Sequence, residues 1–332
     1  MNVSSSASTP PPHGEFALIA RHFTRPDRPL RVQVALGVGD DCALLQPAPG
    51  MQLAISSDML VEGRHFLPTV APERLGHKAL AVNLSDLAAC GAEPLGCTLA
   101  LALPRVDDAF LAGFAKGLFA LADAHGTALV GGDTTAGPLT ICITVFGQVP
   151  TGQALLRSGA RPGDDLWVSG SLGDARLALE VFRGRVALPG AQFDAVRPAM
   201  ELPQPRVALG LALRGVASAA IDLSDGLAGD LAHVLRRSGV GAVVNVDALP
   251  RSAVLSAQPL ALQHDCLLSG GDDYELLFTA PAAQRQAVLA AGRGCGVAVT
   301  RCGHVDSGAG LRVVDGNGVP LPASWRGFDH FA

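Results

Sequence analysis

Three observations predict a mixed α/β (α+β) protein of two domains. Apolar, strand-length runs alternate with helix-length amphipathic segments along the chain. Its 332 residues are enough for about two domains and a sizeable core. A stretch of turn formers, Arg157-Ser-Gly-Ala-Arg-Pro-Gly-Asp-Asp165, interrupts the pattern near the middle. The boundary is therefore expected at 150–160, with a tail at 1–13, an N-terminal domain at 14–152 and a C-terminal domain at 153–332.

The start, MNVSSSASTPPPH, lacks a basic opening and an apolar run, so it is expected to be a floppy tail and not a secretory signal. Glu15–Phe23 follows as a short amphipathic helix with Phe16, Ile19 and Phe23 on one face. Strands are expected at Ala43–Leu45 and Leu53–Ser56, a long helix at Pro72–Cys90, a strand at Leu95–Leu103 and a helix at Asp107–Ala124. Ala128–Val130 and Leu139–Val149 complete the first half as strands. The second half opens with strand Leu166–Ser169 and a helix from Gly173. Helix Arg206–Leu213, strand Ala219–Leu223, helix Leu227–Arg237 and strands Val243–Val246 and Tyr274–Thr279 follow. Helix Ala282–Ala291 and strand Val297–His304 come next, and Asp315-Gly316-Asn317-Gly318 marks a hairpin turn.

Composition excludes several classes. Net charge is −5, against a protein that grips nucleic acid by charge. The longest charge-free run, Thr134–Leu156, contains Gly137, Pro138, Pro150 and Gly152, so it reads as a buried strand plus a loop and not as a membrane span. The seven Cys form no C-x-x-C pair and mostly sit in apolar runs, as expected of reduced, buried thiols in a cytoplasmic protein.

The acidic residues carry the chemistry. They stand in six short clusters flanked by Gly or Ser, each at the end of an apolar run: Gly37-Val-Gly-Asp40-Asp41, Ser56-Ser57-Asp58, Asn83-Leu-Ser85-Asp86, Gly131-Gly132-Asp133-Thr134, Asp222-Leu-Ser224-Asp225-Gly226 and Gly270-Gly271-Asp272-Asp273-Tyr274-Glu275. One such cluster is an ordinary turn or helix cap. Six need something to neutralise them. Lys occurs only at 78 and 116, which leaves Arg or a metal. Oxygen donors without His or Cys suit a hard cation such as Mg²⁺, usually completed by phosphate oxygens. The residues thus point to a metal-dependent site for a phosphorylated ligand, of which a nucleotide is the leading candidate. A G-x-x-x-x-G-K-[ST] loop, a clean G-x-G-x-x-G fingerprint and the H-R-D and D-F-G pair are all missing. Ser224 has no His nearby in sequence to make it a nucleophile.

The ordered set of motifs at 37–43, 81–89, 131–135, 221–227 and 269–276 resembles the thiamine-monophosphate kinase family, over Gly14 to Phe331. That family belongs to the ATP-binding superfamily of aminoimidazole ribonucleotide synthetase and selenophosphate synthetase. The resemblance implies Mg²⁺-dependent, direct in-line transfer of the ATP γ-phosphoryl group to thiamine monophosphate. It also implies a homodimer whose N-terminal sheets pair into a barrel. Asp40, Ser56, Ser57, Asp58, Asp86, Asp133, Asp222 and Asp225 match the family's metal-binding positions. Gly132, Asp133, Arg157 and Ser224 match its ATP contacts, and His65, Asp272 and Phe328 its thiamine-phosphate contacts. Many relatives carry Thr in place of Ser57, relatives commonly have Glu in place of Asp272, and Tyr or Trp also occurs at the position of Phe328. By residue type alone, His65 is equally a loop histidine, Arg157 a linker charge and Phe328 a staple for the tail.

The acceptor phosphate is already ionised near neutral pH, so the reaction needs charge screening more than a base. Rival readings remain within and outside the superfamily. Selenophosphate synthetases carry a reactive Cys or selenocysteine and a Lys near the N-terminus, whereas no Cys precedes Cys42 and no Lys precedes Lys78. The hydrogenase-maturation enzyme ends in a reactive Cys, whereas the last Cys here is Cys302. A nucleotide sensor without turnover would not need the full carboxylate set.

Overall fold

The computed structural model describes residues 14–321, 325, 327 and 328. The expected tail at 1–13 and the side chain of Phe16 lie outside the described residues. Helix α1 (Glu15–Leu18) runs into a π-helical turn, Ile19–Phe23, and Phe23 packs edge-on to Phe114 with ring centres 6.5 Å apart. Strands β1 (Val34–Leu36) and β2 (Leu44–Leu45) form a small antiparallel ribbon.

The first sheet follows: β3 (Met51–Val61), helix α2 (Pro72–Ala89), β4 (Glu93–Leu103), helix α3 (Asp108–Ala124), β5 (Ala128–Ala136) and β6 (Thr140–Pro150). Its strand order is β3-β6-β4-β5, and α3 is the crossover between the parallel neighbours β4 and β5. Alternation along the strands sets two faces. Cys97, Leu99, Leu101, Ile141, Ile143 and Val145 are buried against Leu80, Leu84 and Leu87 of α2 and Leu111, Phe114 and Leu118 of α3. The other face carries the exposed Leu53, Ile55 and Met59. The two helices meet backbone to backbone: a Cβ at Gly117 would lie 1.7 Å from the Glu73 carbonyl oxygen.

The second sheet is built from β7 (Asp164–Ser169), helices α4 (Asp174–Phe182), α5 (Gly190–Glu201) and α6 (Val207–Ala212), β8 (Ala219–Asp222), α7 (Leu227–Ser238), β9 (Gly241–Asn245), α8 (Ala253–Ser256), α9 (Leu260–Leu268), β10 (Leu276–Pro281), α10 (Arg285–Gly294), β11 (Val299–Asp306) and β12 (Gly310–Val314). Its order is β12-β9-β11-β7-β10-β8, with β12 and β9 the parallel pair. A second core, including Leu166, Val168, Ile221, Leu231, Val244 and Leu277, lies on this sheet. Helix α2 belongs to the first sheet but also packs on α6 and β8, so it spans the junction between the two halves.

Most expected elements are present, with informative differences. Strand β3 continues through Ser57 and Asp58, and β5 through Gly131, Gly132 and Asp133, because a full ladder from β6 and β4 holds residues that read locally as loop. Helices α5, α8 and α9 and strand β1 were not anticipated; α5 contains Pro198, and α8 has four residues. Thr134–Leu156 is largely strand, as expected, and among the described residues no helix is long and apolar enough to cross a membrane. All seven Cys are free, but only Cys97, Cys266 and Cys302 are buried, and Cys42 is exposed; burial in general therefore does not hold for the thiols.

Candidate active site

The inner face of β3 presents Ser56 and Asp58 to α2. The Ser56 hydroxyl donates to Asp86, and Asn83 Oδ1 accepts the Asp58 backbone N–H at 3.0 Å. One residue before Asp86, the buried Ser85 donates to Asp222 Oδ2 at 2.7 Å, tying α2 to the end of β8. Beyond β8 the chain turns through Ser224 and Asp225 into α7, whose Asp230 accepts the Asp225 N–H at 3.1 Å. Helix α2 and the β8–α7 turn thus gather Asp58, Asp86, Asp222 and Asp225 at the junction of the two halves.

Their charges are felt mutually. Burial, then the negative charges of Asp86 and Asp225, push the Asp58 carboxyl up to about 6. Asp222 is raised by burial and then by Asp86, and Asp86 is raised by burial although Ser56 and Arg157 oppose it. Burial pushes Asp230 up to about 7, although the Asp225 N–H that donates to it opposes the rise; the Asp225 charge adds to it and Arg157 opposes. Raised carboxyls in a polar junction mark a place that a cation would stabilise. The donors are carboxylate and hydroxyl oxygens, which fit Mg²⁺. Among the described residues no three His, Cys, Asp or Glu side chains already converge tightly enough to hold an ion unaided. Mg²⁺ is commonly bound through one or two carboxylates plus phosphate oxygens and water, so this arrangement is compatible with it.

Asp40 and Asp133 lie elsewhere. Both are exposed and line a 540 Å³ cleft with Phe23, Leu129, Gly131 and Gly132. Asp58 pairs with Ile143, Ile143 with Leu99, and Leu99 with Gly132, so three interstrand steps, about 14 Å, separate the Asp58 row from β5. Asp133 pairs with the exposed Ala100 on the helix-free face, opposite to Asp58. Within one chain the structure therefore does not bring these two carboxylates to the other four. Gly132 sits at φ +150°, and a Cβ there would meet the Leu99 carbonyl oxygen at 1.9 Å, so the residue type follows from close backbone approach. Ser57 points away from Ser56, with its hydroxyl 2.9 Å from Thr144 Oγ1. Arg157 is exposed at the mouth of a 290 Å³ hollow that also contains Asp86 and Asp222.

His65 and Asp272 line a 150 Å³ pocket with Arg64, Phe66, Lys78 and Met200. The Val61 N–H donates to His65 Nδ1 at 3.0 Å, which places the proton of a neutral ring on Nε2. Asp272 Oδ2 is 3.0 Å from Lys78 Nζ, and Oδ1 accepts from the Tyr274 hydroxyl at 3.2 Å. Ser224 joins the two loops by accepting the Asp272 N–H at 2.9 Å. The Phe328 N–H donates to the Asp225 carbonyl at 3.0 Å, and the Arg64 guanidinium stands 4.8 Å from the Phe328 ring centre. Phe328 thus lies over the carboxylate turn, already against a cation.

Residues 39–149 match the AIR synthase related protein N-terminal domain, and 161–316 match its C-terminal domain. Thiamine-monophosphate kinase of Salmonella typhimurium is 48% identical over 324 residues, spanning 96% of this chain and 98% of its own. The chain belongs to the thiamine-monophosphate kinase family. The crystal structure of thiamine-monophosphate kinase from Stenotrophomonas maltophilia superposes with a TM-score of 0.82 at 46% identity, covering 88% of this chain and 93% of that one. A further solved structure, AaThiL complexed with AMPPCP and TMP, gives a TM-score of 0.76 at 29% identity, over 86% of this chain and 89% of that one.

Several residues of this family member acquire a place only in the structure. Lys78, Tyr274 and Asp230 contact or face the predicted site residues, and Asn83 and Ser85 hold two of them. The signal for Lys78 was its rarity: a chain nearly devoid of Lys buries one of its two. Asp230 could have been suspected from its position in the first turn of α7, where a carboxylate can reach back to the preceding turn.

Proposed function

We propose that this chain transfers the γ-phosphoryl group of ATP to thiamine monophosphate, giving thiamine diphosphate and ADP. The observation that carries the proposal is the gathering of Asp58, Asp86, Asp222 and Asp225 at the junction of the two halves, with burial raising the carboxyls of Asp58, Asp86 and Asp222. Such a group suits metal-borne phosphates far better than it suits an unoccupied fold.

Asp58, Asp86, Asp222 and Asp225, with the hydroxyl of Ser56, would hold several Mg²⁺ ions; Asp40 and Asp133 would join them from a second copy, and Ser57 keeps its hydroxyl on Thr144. Bound there, Mg²⁺ supplies charge neutralisation of the phosphates and of the oxygens that gain charge in the transfer. Gly132, whose lack of a side chain lets β5 approach closely, with Asp133, Arg157 and Ser224, form the ATP side. His65, Asp272 and Phe328 form the acceptor side. No side chain need act as nucleophile or strong base, because the acceptor is an anion; transfer is direct.

We infer that the working unit is a homodimer. The exposed Leu53, Ile55 and Met59 lie on the helix-free face of the first sheet, whose edges are β3 and β5. Pairing that sheet with its copy into a barrel would cover this face. Asp58 stands on edge strand β3 and Asp133 on edge strand β5, so closure of the barrel through these edges is the arrangement by which carboxylates of two copies would meet, a separation one chain does not bridge. The free thiols and the absence of any membrane-spanning helix among the described residues agree with a cytoplasmic enzyme.

The test is coupled ADP release with Mg²⁺ and ATP, with and without thiamine monophosphate. Release that requires the acceptor, and thiamine diphosphate as its product, is expected. Equal ATP turnover without the acceptor, or none with it, refutes the kinase reading.

A further inference from the structure

The acceptor pocket contains a buried ammonium that the proposed chemistry has not used. Lys78 stands on α2, two helical turns before Asp86, and its side chain is 4% exposed. Its Nζ lies 3.0 Å from Asp272 Oδ2, while Tyr274 holds Oδ1 of the same carboxylate. Asp272 and Tyr274 are, among the described residues, the two non-glycine residues with left-handed φ, at 68° and 49°. Their backbone N–H groups donate to the carbonyls of Ser224 and Leu223 at 2.9 and 2.8 Å, which over-determines the strained loop. Strain of this kind, held on both sides, fixes the Asp272 carboxylate and through it the ammonium.

Charge decides what the pocket can accept. Its lining carries the cations Arg64, Lys78 and Arg183 and the anions Glu201 and Asp272. Asp272 Oδ2 pairs with Lys78 and Oδ1 accepts from Tyr274, so its negative charge already has a partner before a cationic ring enters. Burial, and then the charges of Asp272, Asp58 and Asp222, raise the Tyr274 hydroxyl, and its hydrogen bond to Asp272 sets the Lys78–Asp272 pair beside the carboxylate group. An anion entering there meets repulsion from those carboxylates, and the ammonium, fixed at the pocket wall and buried where Arg64 and Arg183 are exposed, offsets it.

We propose that Lys78 binds the phosphate of the acceptor, and that Asp272 is a positioning residue that aims the Lys78 ammonium. This rests on the kinase reading and deepens it: Asp272 acts on the acceptor through Lys78 and not by direct contact with the thiazolium.

The experiment compares wild type, Lys78→Met and the double variant Lys78→Met/Asp272→Asn. The double variant removes both charges of the pair, so that neither is left buried alone and the fold is kept. Michaelis constants for thiamine monophosphate and ATP are measured, with melting temperature and the inhibition constant of unphosphorylated thiamine. A raised thiamine-monophosphate KM, about tenfold or more, is expected in both variants, as for loss of one charge-assisted hydrogen bond. The ATP KM and the thiamine inhibition constant should change less than about twofold. If the double variant recovers the wild-type KM, Lys78 only neutralises Asp272 and the proposal is overturned. Equal weakening of thiamine and thiamine monophosphate, or a rise confined to ATP, overturns it as well. Should Lys78→Met fail to fold, the double variant alone decides. A wild-type enzyme that shows no acceptor-dependent ADP release refutes the kinase reading instead; an active wild type with unchanged variants refutes this inference alone.

Discussion

Replacing Asp58 by Asn removes a negative charge from a place where the fold opposes it. The Asp58 carboxyl is raised from the ordinary 3.8 to about 6, chiefly by burial and then by Asp86 and Asp225. That difference of roughly 2 pH units corresponds to about 3 kcal/mol between the protonated and ionised forms. The folded state holds this proton more tightly than the unfolded chain. Stability of the metal-free protein therefore falls as pH rises from near 4 to about 6, and the full penalty remains above that window. Asp58→Asn escapes the penalty. In a chelator near pH 8 it should be more stable than wild type by up to about 3 kcal/mol, roughly 6–12 °C in melting temperature for a domain of this size. Near pH 4 the two proteins should melt nearly together. Added Mg²⁺ should raise the wild-type melting temperature near pH 8 and raise that of the variant much less. Thermal melts at the two pH values, with chelator and with Mg²⁺, measure all of this. Identical melting of variant and wild type near pH 8 in chelator would refute the burial argument. An undiminished Mg²⁺ response in the variant would remove Asp58 from the metal group.

Asp133→Asn and Asp222→Asn should each lower turnover a hundredfold or more, on the order of 3 kcal/mol of transition-state stabilisation, with circular dichroism near wild type; normal turnover in either would exclude it from the metal role. Phe328→Ala should raise the thiamine-monophosphate KM roughly tenfold with the ATP KM little changed. If both constants drift together and the melting temperature drops, the ring serves only to anchor the C-terminal segment on the Asp225 turn. Ile55→Glu on the open sheet face should shift the protein from dimer to monomer in light scattering and reduce turnover at the same time; an active monomer would show that no second copy is needed. Gly132→Ala should disrupt β5, because the new methyl would meet the Leu99 carbonyl oxygen at 1.9 Å, and a variant with wild-type melting and ATP KM would contradict that contact.

Local signals in the amino-acid sequence were sufficient for the long periodic elements. Helix α3 and strand β6 have the apolar pattern that one buried face imposes, helix α2 and strand β4 are long, largely apolar runs buried on most sides, and all four stand close to their expected limits. The ordered acidic motifs were likewise legible, since Gly, Ser and Asp at the ends of apolar runs are visible without a fold. They were enough to reach the family and its chemistry. The limits of β3 and β5 were not legible, because Ser57, Asp58 and Gly131–Asp133 have weak strand preference and are held extended by neighbours that are distant in sequence. Nor could spacing show which acids meet. Asp58 and Asp86 are 28 positions apart and Asp222 lies 136 beyond Asp86, yet α2 and β8 bring their charges together; Asp133 shares a sheet with Asp58 and points from its other edge and face. Lys78 shows the same division. Its rarity was readable in the composition, but its partner, 194 residues away, depends on packing between the two halves. Periodicity reports which side of an element is buried; only closure of the chain decides which buried charges must face each other.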